Sequence, residues 1–284
     1  MLDLSHRQDL AWLAQLVTDV QTAAPNIRLL VVGALARDLW LHYGYAIEIE
    51  RATEDVDLAL AVDWKGFSET REALLATGLF EPFRNTAHKL RHRKFGWIDL
   101  IPFGAVERAD GTIAWPPSGD DVMDVMGYAE ANAAAITIAL THNQTVRAVS
   151  LPMLAVLKVL AWKDRHRTTR GKDAVDLALI MRRYLEAGNL DRLYADFAHV
   201  VDENFDFEPA SAWLLGQDAR ERLINHSVRF EQLISALDAV LAPELDPDGA
   251  QILVLQLNPR NPDDGLKLLG AFRKGMLGAE GPFA

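Results

Sequence analysis

The residues best equipped for chemistry lie in Arg51-Ala-Thr-Glu-Asp55-Val-Asp57-Leu-Ala-Leu60. Asp55 and Asp57 are two residues apart, and the chain turns apolar after them, as a strand entering a sheet does. Side chains at i and i+2 of a strand share a face. The two carboxylates would therefore stand side by side at the mouth of a buried strand. At roughly 6 Å and an effective dielectric near 20 they repel by about 3 kcal/mol. A cation between them relieves that repulsion, and a hard divalent ion suits all-oxygen ligands. The pair reads as a metal site.

A third acid, Asp99, is embedded in Lys94-Phe-Gly-Trp-Ile-Asp99-Leu-Ile-Pro-Phe103. An Asp among Trp97, Ile98, Leu100 and Ile101 is costly to bury unless it is paired or bound to a cation. It either pairs with Arg91 or Arg93 across a hairpin, or joins Asp55 and Asp57 in a metal triad. Upstream, the branched run Ile27 to Val32 ends at Gly33, and Ala34 to Tyr43 has helical spacing closed by Gly44. A helix start after Gly33 offers free backbone N–H groups and a positive dipole end for a phosphate, with Arg37 one turn in. The alternative is a glycine that lets strand and helix pack closely. One glycine, where a dinucleotide-binding turn needs three, excludes a Rossmann reading.

Positive charge is concentrated in two places. Arg84, His88, Lys89, Arg91, His92, Arg93 and Lys94 form one cluster; Lys158, Lys163, Arg165, His166, Arg167, Arg170 and Lys172 form the other. In a chain of net charge −11 such local patches suggest a phosphate-bearing ligand, while the overall balance excludes a chain-wide nucleic-acid surface. Lys158, Ala161, Trp162 and Arg165 share a helix face. Lys172-Asp173-Ala-Val-Asp176 opens the next helix, with its acids where the dipole favours them. Those charges read either as an interhelical salt-bridge lattice with Arg165 or as part of a site.

The elements that must position these residues follow from composition and periodicity. With 284 residues, half of them apolar, the chain can bury a sizeable core. It has no cysteine, which excludes disulfides, zinc–thiolate sites and thiol catalysis. The start of the sequence lacks a signal-peptide layout, and the longest apolar run, Leu29 to Ala36, is too short for a bilayer, so a soluble cytoplasmic protein without membrane contact is expected. A helix over residues 5–20, a strand to Val32, a strand over Val56 to Val62, a helix from Trp64 to Leu79 and a strand within Arg91 to Pro102 are predicted. Ala133 to Leu140 and Thr145 to Val149 read as a hairpin, and from Ser150-Leu-Pro152 the chain is helical. The fold class is α+β: a mixed sheet flanked by helices over residues 1–149, then a helical domain over 150–284.

Five segments in this order resemble the AbiEii/AbiGii-type nucleotidyltransferases, toxins of type IV toxin–antitoxin systems within the DNA-polymerase-β-like superfamily. They are Val32-Gly33-Ala34-Leu-Ala-Arg37-Asp38, Arg51-Ala-Thr53-Glu-Asp55-Val-Asp57-Leu, Ile98-Asp99-Leu-Ile-Pro-Phe103, Leu157-Lys158-Val-Leu-Ala161-Trp-Lys-Asp-Arg165 and Lys172-Asp173-Ala-Val-Asp176-Leu. They span residues 30 to about 180; the rest matches only as a helical tail. The family usually follows its glycine with Gly or Ser, and Ala34 keeps the N–H without a hydroxyl.

The resemblance implies transfer of a nucleoside monophosphate from an NTP to an acceptor hydroxyl, with Mg²⁺ or Mn²⁺ as cofactor. Asp55, Asp57 and Asp99 would be metal ligands, with Asp99 also taking the hydroxyl proton. Gly33, Ala34, Arg37 and Thr53 would hold the nucleotide. Lys158 and Lys172 would neutralise the triphosphate as mobile charges; Asp173 would belong to the site, and Asp176 would orient Lys172. It also makes a tRNA end a plausible acceptor, with Arg84 to Lys94 as its docking patch, and implies a cognate antitoxin as partner. Competing readings are a small-molecule (antibiotic-type) nucleotidyltransferase, a catalytically silent NTP-binding module, and a metal-dependent glycosyltransferase, which would leave Gly33-Ala34 and Lys172-Asp173 without a task.

Overall fold

The structure is a computed structural model that describes residues 1–49, 55–84, 86–166, 171–242 and 247–282. Its chain divides into two compact units, Met1–Ser150 and Leu151–Ala284. Thr53 lies outside the described residues, as do Arg51, Arg167 and Arg170.

The first unit is built on an eight-stranded mixed sheet in the order β1-β9-β10-β2-β3-β6-β5-β4. Its elements in chain order are β1 (Leu2–Asp3), α1 (Ala11–Ala23), β2 (Leu29–Val32), α2 (Gly33–Asp38), β3 (Asp55–Ala61), α3 (Trp64–Ala76), β4 (Phe80–Pro82), β5 (Lys89–His92), β6 (Gly96–Phe103), β7 (Thr112–Ala114), β8 (Val122–Asp124), α4 (Tyr128–Ala133), β9 (Ile136–Ala139) and β10 (Thr145–Ala148). The strands β7 and β8 form a separate small hairpin. Fully buried Leu29-Leu-Val-Val32 makes β2 an interior strand, antiparallel to β3 and parallel to β10. In β3 the buried Val56, Leu58 and Leu60 alternate with Asp55 and Asp57, so one face is core and the other carries the acids. Asp63 caps α3 by accepting a 2.7 Å hydrogen bond from the Gly66 N–H, which sets where the crossover helix starts.

Several boundaries differ from the sequence reading for local reasons. The opening helix starts later, because Asp3 and Ser5 form a turn after β1 pairs with β9. The helix after Gly33 is regular only to Asp38 and continues as a π-helical turn over Leu39–Gly44. Alanine-rich Tyr128–Ala133 is a helix for which the sequence reading has no element, and β9 begins at Ile136, not at Ala133.

The second unit comprises α5 (Leu151–Arg165), α6 (Lys172–Arg183), α7 (Leu190–Asp196), α8 (Phe207–His226), α9 (Phe230–Leu241), α10 (Pro247–Leu257) and α11 (Pro262–Leu277). Packing α5 against α6, α8 and α9 buries Leu154, Leu157 and Leu160. Helices α8 and α11 touch backbone to backbone where Gly216 meets Gly275. A Cβ on Gly216 would lie 2.3 Å from the Phe272 carbonyl, and one on Gly275 would lie 2.1 Å from that of Trp213. No described helix is long and apolar enough to cross a membrane.

One member of the first basic cluster is a core residue. His92 is 1% exposed; its Nε2 faces Asp19 of α1 at 3.2 Å and its ring stacks on Phe95. The Lys94 and Phe95 N–H groups both donate to Nδ1, which leaves the ring proton on Nε2 and the imidazole neutral. Burial pushes the His92 pKa below its ordinary 6.5, against the pull of Asp19. A depressed histidine stabilises the fold above its unfolded pKa and loses that contribution as pH falls below about 6.5. Urea unfolding across pH 5–8 should therefore show stability dropping on the acid side, with a slope that His92→Gln flattens.

Candidate active site

Register decides which acids meet. In the parallel pairing of β3 with β6, Asp57 lies opposite Asp99 and Asp55 opposite Trp97. Paired residues share a face, so Asp55, Asp57 and Asp99 all project from the same side of the sheet. In the antiparallel β5–β6 hairpin, Asp99 lies opposite Lys89. The Lys89 ammonium sits 3.3 Å from Asp55 Oδ2 and 3.6 Å from Asp99 Oδ2. The partner across the hairpin is thus neither Arg91 nor Arg93. Arg91 faces Trp97 and Arg93 bonds Glu81.

Gly33 has a defined task on the other flank of β3. Val32 pairs with Asp57, and the next residue turns into α2 with φ +67°. A Cβ on Gly33 would come within 1.9 Å of Asp57 Oδ2. The missing side chain makes room for the carboxylate, so the close-packing reading of this glycine holds, with an acid as the packed group. Arg37 is buried, and its Nε and Nη2 donate to Asp38 Oδ1 at 2.8 and 2.6 Å.

The electrostatics of Asp99 are those of a group short of partners. Burial pushes its carboxyl above the usual range, Lys89 and His88 pull it back, and Asp55 adds to the rise. Its Oδ1 is buried without a hydrogen-bond partner. Such an atom costs about 1–3 kcal/mol unless something fills the gap. Carboxylate oxygens alone make a donor set for a hard divalent ion such as Mg²⁺ or Mn²⁺. Among the described residues, however, no three acidic or histidine side chains converge closely enough to hold a metal in this arrangement. The donors fit the ion; their convergence is incomplete, with an ammonium between two of them.

The helical unit carries a second cluster. Lys158 of α5 is buried and donates 3.0 Å to Asp173 Oδ1 and 2.5 Å to Asp176 Oδ2 of α6. Arg165 forks onto Asp173 at 2.8 and 2.9 Å. Burial would raise the Asp173 carboxyl, but Arg165 and Lys158 outweigh it and hold the group below the usual range. The lattice reading of these residues is realised in the contacts. Lys158 is therefore committed rather than mobile, and Asp176 serves Lys158, while Lys172 is exposed.

The basic stretch from Arg84 to Lys94 does not form one patch. Strand alternation sends Lys89 to the carboxylates and His92 into the core, and Arg93 to Glu81. Sequence reasoning passed over Lys89 among so many neighbouring charges. Counting back from the turn before Gly96 identifies it, since the hairpin pairs His92 with Gly96 and so Lys89 with Asp99.

An Asp-x-Asp strand, a third Asp brought beside it by the next parallel strand and a glycine turn against the second acid are the elements expected of a nucleotidyltransferase core. The chain matches the family described as nucleotidyl transferase AbiEii toxin, type IV TA system, over residues 15–251, and belongs to that family. No curated protein matches it. Among solved structures, the antibiotic-resistance factor ANT(2'')-Ia is similar at 14% identity and a TM-score of 0.37, covering 66% of this chain and 96% of its own. JHP933 from Helicobacter pylori is similar at 12% identity and a TM-score of 0.35, covering 95% of this chain and 94% of its own.

Two mutational outcomes follow from these contacts. Gly33→Ala should lower stability by on the order of 2 kcal/mol or more in urea unfolding, through overpacking and a disfavoured φ. Adding Asp57→Ala should recover part of that loss, because the obstructing carboxylate is gone. Lys158→Met leaves two acids buried with too little positive charge and should cost about 3–5 kcal/mol. The Lys158→Met, Asp176→Asn double variant should be more stable than Lys158→Met alone.

Proposed function

We propose that this chain transfers a nucleoside monophosphate from an NTP to an acceptor hydroxyl, as the toxin of a toxin–antitoxin pair acting in the cytoplasm. The observation that carries the reading is the shared face of Asp55, Asp57 and Asp99, with Asp57 packed over Gly33. Bound at those carboxylates, Mg²⁺ or Mn²⁺ would neutralise the triphosphate and acidify the acceptor hydroxyl. Asp55 and Asp57 orient the nucleotide end of the site. Asp99, its carboxyl raised by burial, accepts the proton of the attacking hydroxyl. The hydroxyl oxygen bonds to the α-phosphorus, the bond to the β-phosphate oxygen breaks, and pyrophosphate leaves.

The β- and γ-phosphates are assigned to the backbone N–H groups at Gly33 and Ala34 and to Thr53. Arg37 contributes only by sharing a guanidinium already bonded to Asp38. Within the helical unit Lys172 is exposed, and Lys158 with Asp173 fixes the helix that carries it. The acceptor proposed is an RNA end, with a tRNA terminus as the first candidate, and the partner is an antitoxin protein.

Incubation with each labelled NTP, Mg²⁺ and total cellular RNA tests this reading. Label should appear on an RNA band, and Asp57→Asn should reduce transfer by more than about a hundredfold without loss of folded structure. Label on a small hydroxyl compound instead would move the assignment to a small-molecule acceptor. NTP binding with no pyrophosphate release under any acceptor would reduce the protein to a nucleotide-binding module.

A further inference from the structure

The ammonium of Lys89 occupies the space where a cation is most favoured. It lies within 3.6 Å of carboxylates from two different strands, Asp55 of β3 and Asp99 of β6. Strand register places it there, since Lys89 is the direct cross-strand partner of Asp99. Asp57 projects from the same face, and Asp99 Oδ1 has no hydrogen-bond partner, so the lysine leaves that carboxylate only partly satisfied. Its side chain also runs beside Trp97, with Nζ 5.6 Å from the ring centroid. That ring face offers an alternative seat for the ammonium, on a flexible four-carbon stem.

We propose that Lys89 is a tethered counter-ion, occupying the divalent-cation position between Asp55 and Asp99 and competing with the metal for it. This inference rests on reading the three acids as metal ligands. Lys89 holds the carboxylates together in the metal-free protein and swings along Trp97 when a divalent ion enters. Two consequences follow, one for each state. Without metal, removing Lys89 takes away the ammonium that lies between Asp55 and Asp99, and the fold weakens. With metal, the competitor is gone and binding tightens. A lysine that served only as a surface ion pair would change neither in this coupled way, since exposed pairs contribute little. A lysine that helped to bind the metal indirectly would weaken binding when removed.

The test is Mn²⁺ binding to the full chain, followed by the free-ion electron paramagnetic resonance signal, with thermal unfolding in chelator and in saturating Mn²⁺. Lys89→Met and Lys89→Gln should each bind Mn²⁺ about tenfold more tightly than the parent chain. Both should melt below the parent in chelator, with the gap closing or reversing in Mn²⁺. If Lys89→Gln folds and binds Mn²⁺ with unchanged or lower affinity while the parent binds it, the tethered counter-ion is refuted and the metal reading stands. If neither parent nor variants bind Mn²⁺, and Asp57→Asn changes nothing, the metal reading itself fails and takes this inference with it.

Discussion

Repulsion among like charges, imposed by sheet register, is the constraint on which the N-terminal unit turns. The pairing of Asp57 with Asp99 and the two-residue offset to Asp55 put three acids on one face. A one-residue slip of either strand would bury them in the core instead, so the apolar alternation of Val56, Leu58 and Leu60 locks the acids in place. The neighbouring features answer that charge. Gly33, which has no side chain, leaves room for Asp57, and Lys89 reaches in from β5 to bridge Asp55 and Asp99.

The helical unit shows the opposite solution. There Lys158 faces Asp173 and Asp176, and Arg165 forks onto Asp173. Every one of these groups has a short partner, which suits a fixed anchor between α5 and α6. Around the strand acids the Lys89 ammonium lies between Asp55 and Asp99, and the buried Asp99 Oδ1 is left without a hydrogen bond.

Much of this was legible in the sequence, and the limits are physical. Asp55-x-Asp57 gave a shared face because period-two alternation needs no tertiary information. The helices of the second half followed from apolar spacing, and the break after Gly33 from its conformational freedom. The partner of Asp99 depended on hairpin register, which the tempting Arg91 and Arg93 obscured. The seven basic residues from Arg84 to Lys94 looked like one surface because linear proximity hides strand alternation, which sends Lys89 and His92 to different environments. Likewise Lys158 read as a mobile cation; only packing reveals that two acids on α6 enclose it. The two-residue strand β1 exists through pairing with β9, far along the chain, and leaves little local signal.

Anomalous diffraction from Mn²⁺-soaked crystals addresses the central point most directly. The expected result is a manganese peak among Asp55, Asp57 and Asp99, with the Lys89 side chain displaced toward Trp97. Crystals showing Lys89 still seated between Asp55 and Asp99, and no peak beside Asp57, would contradict it.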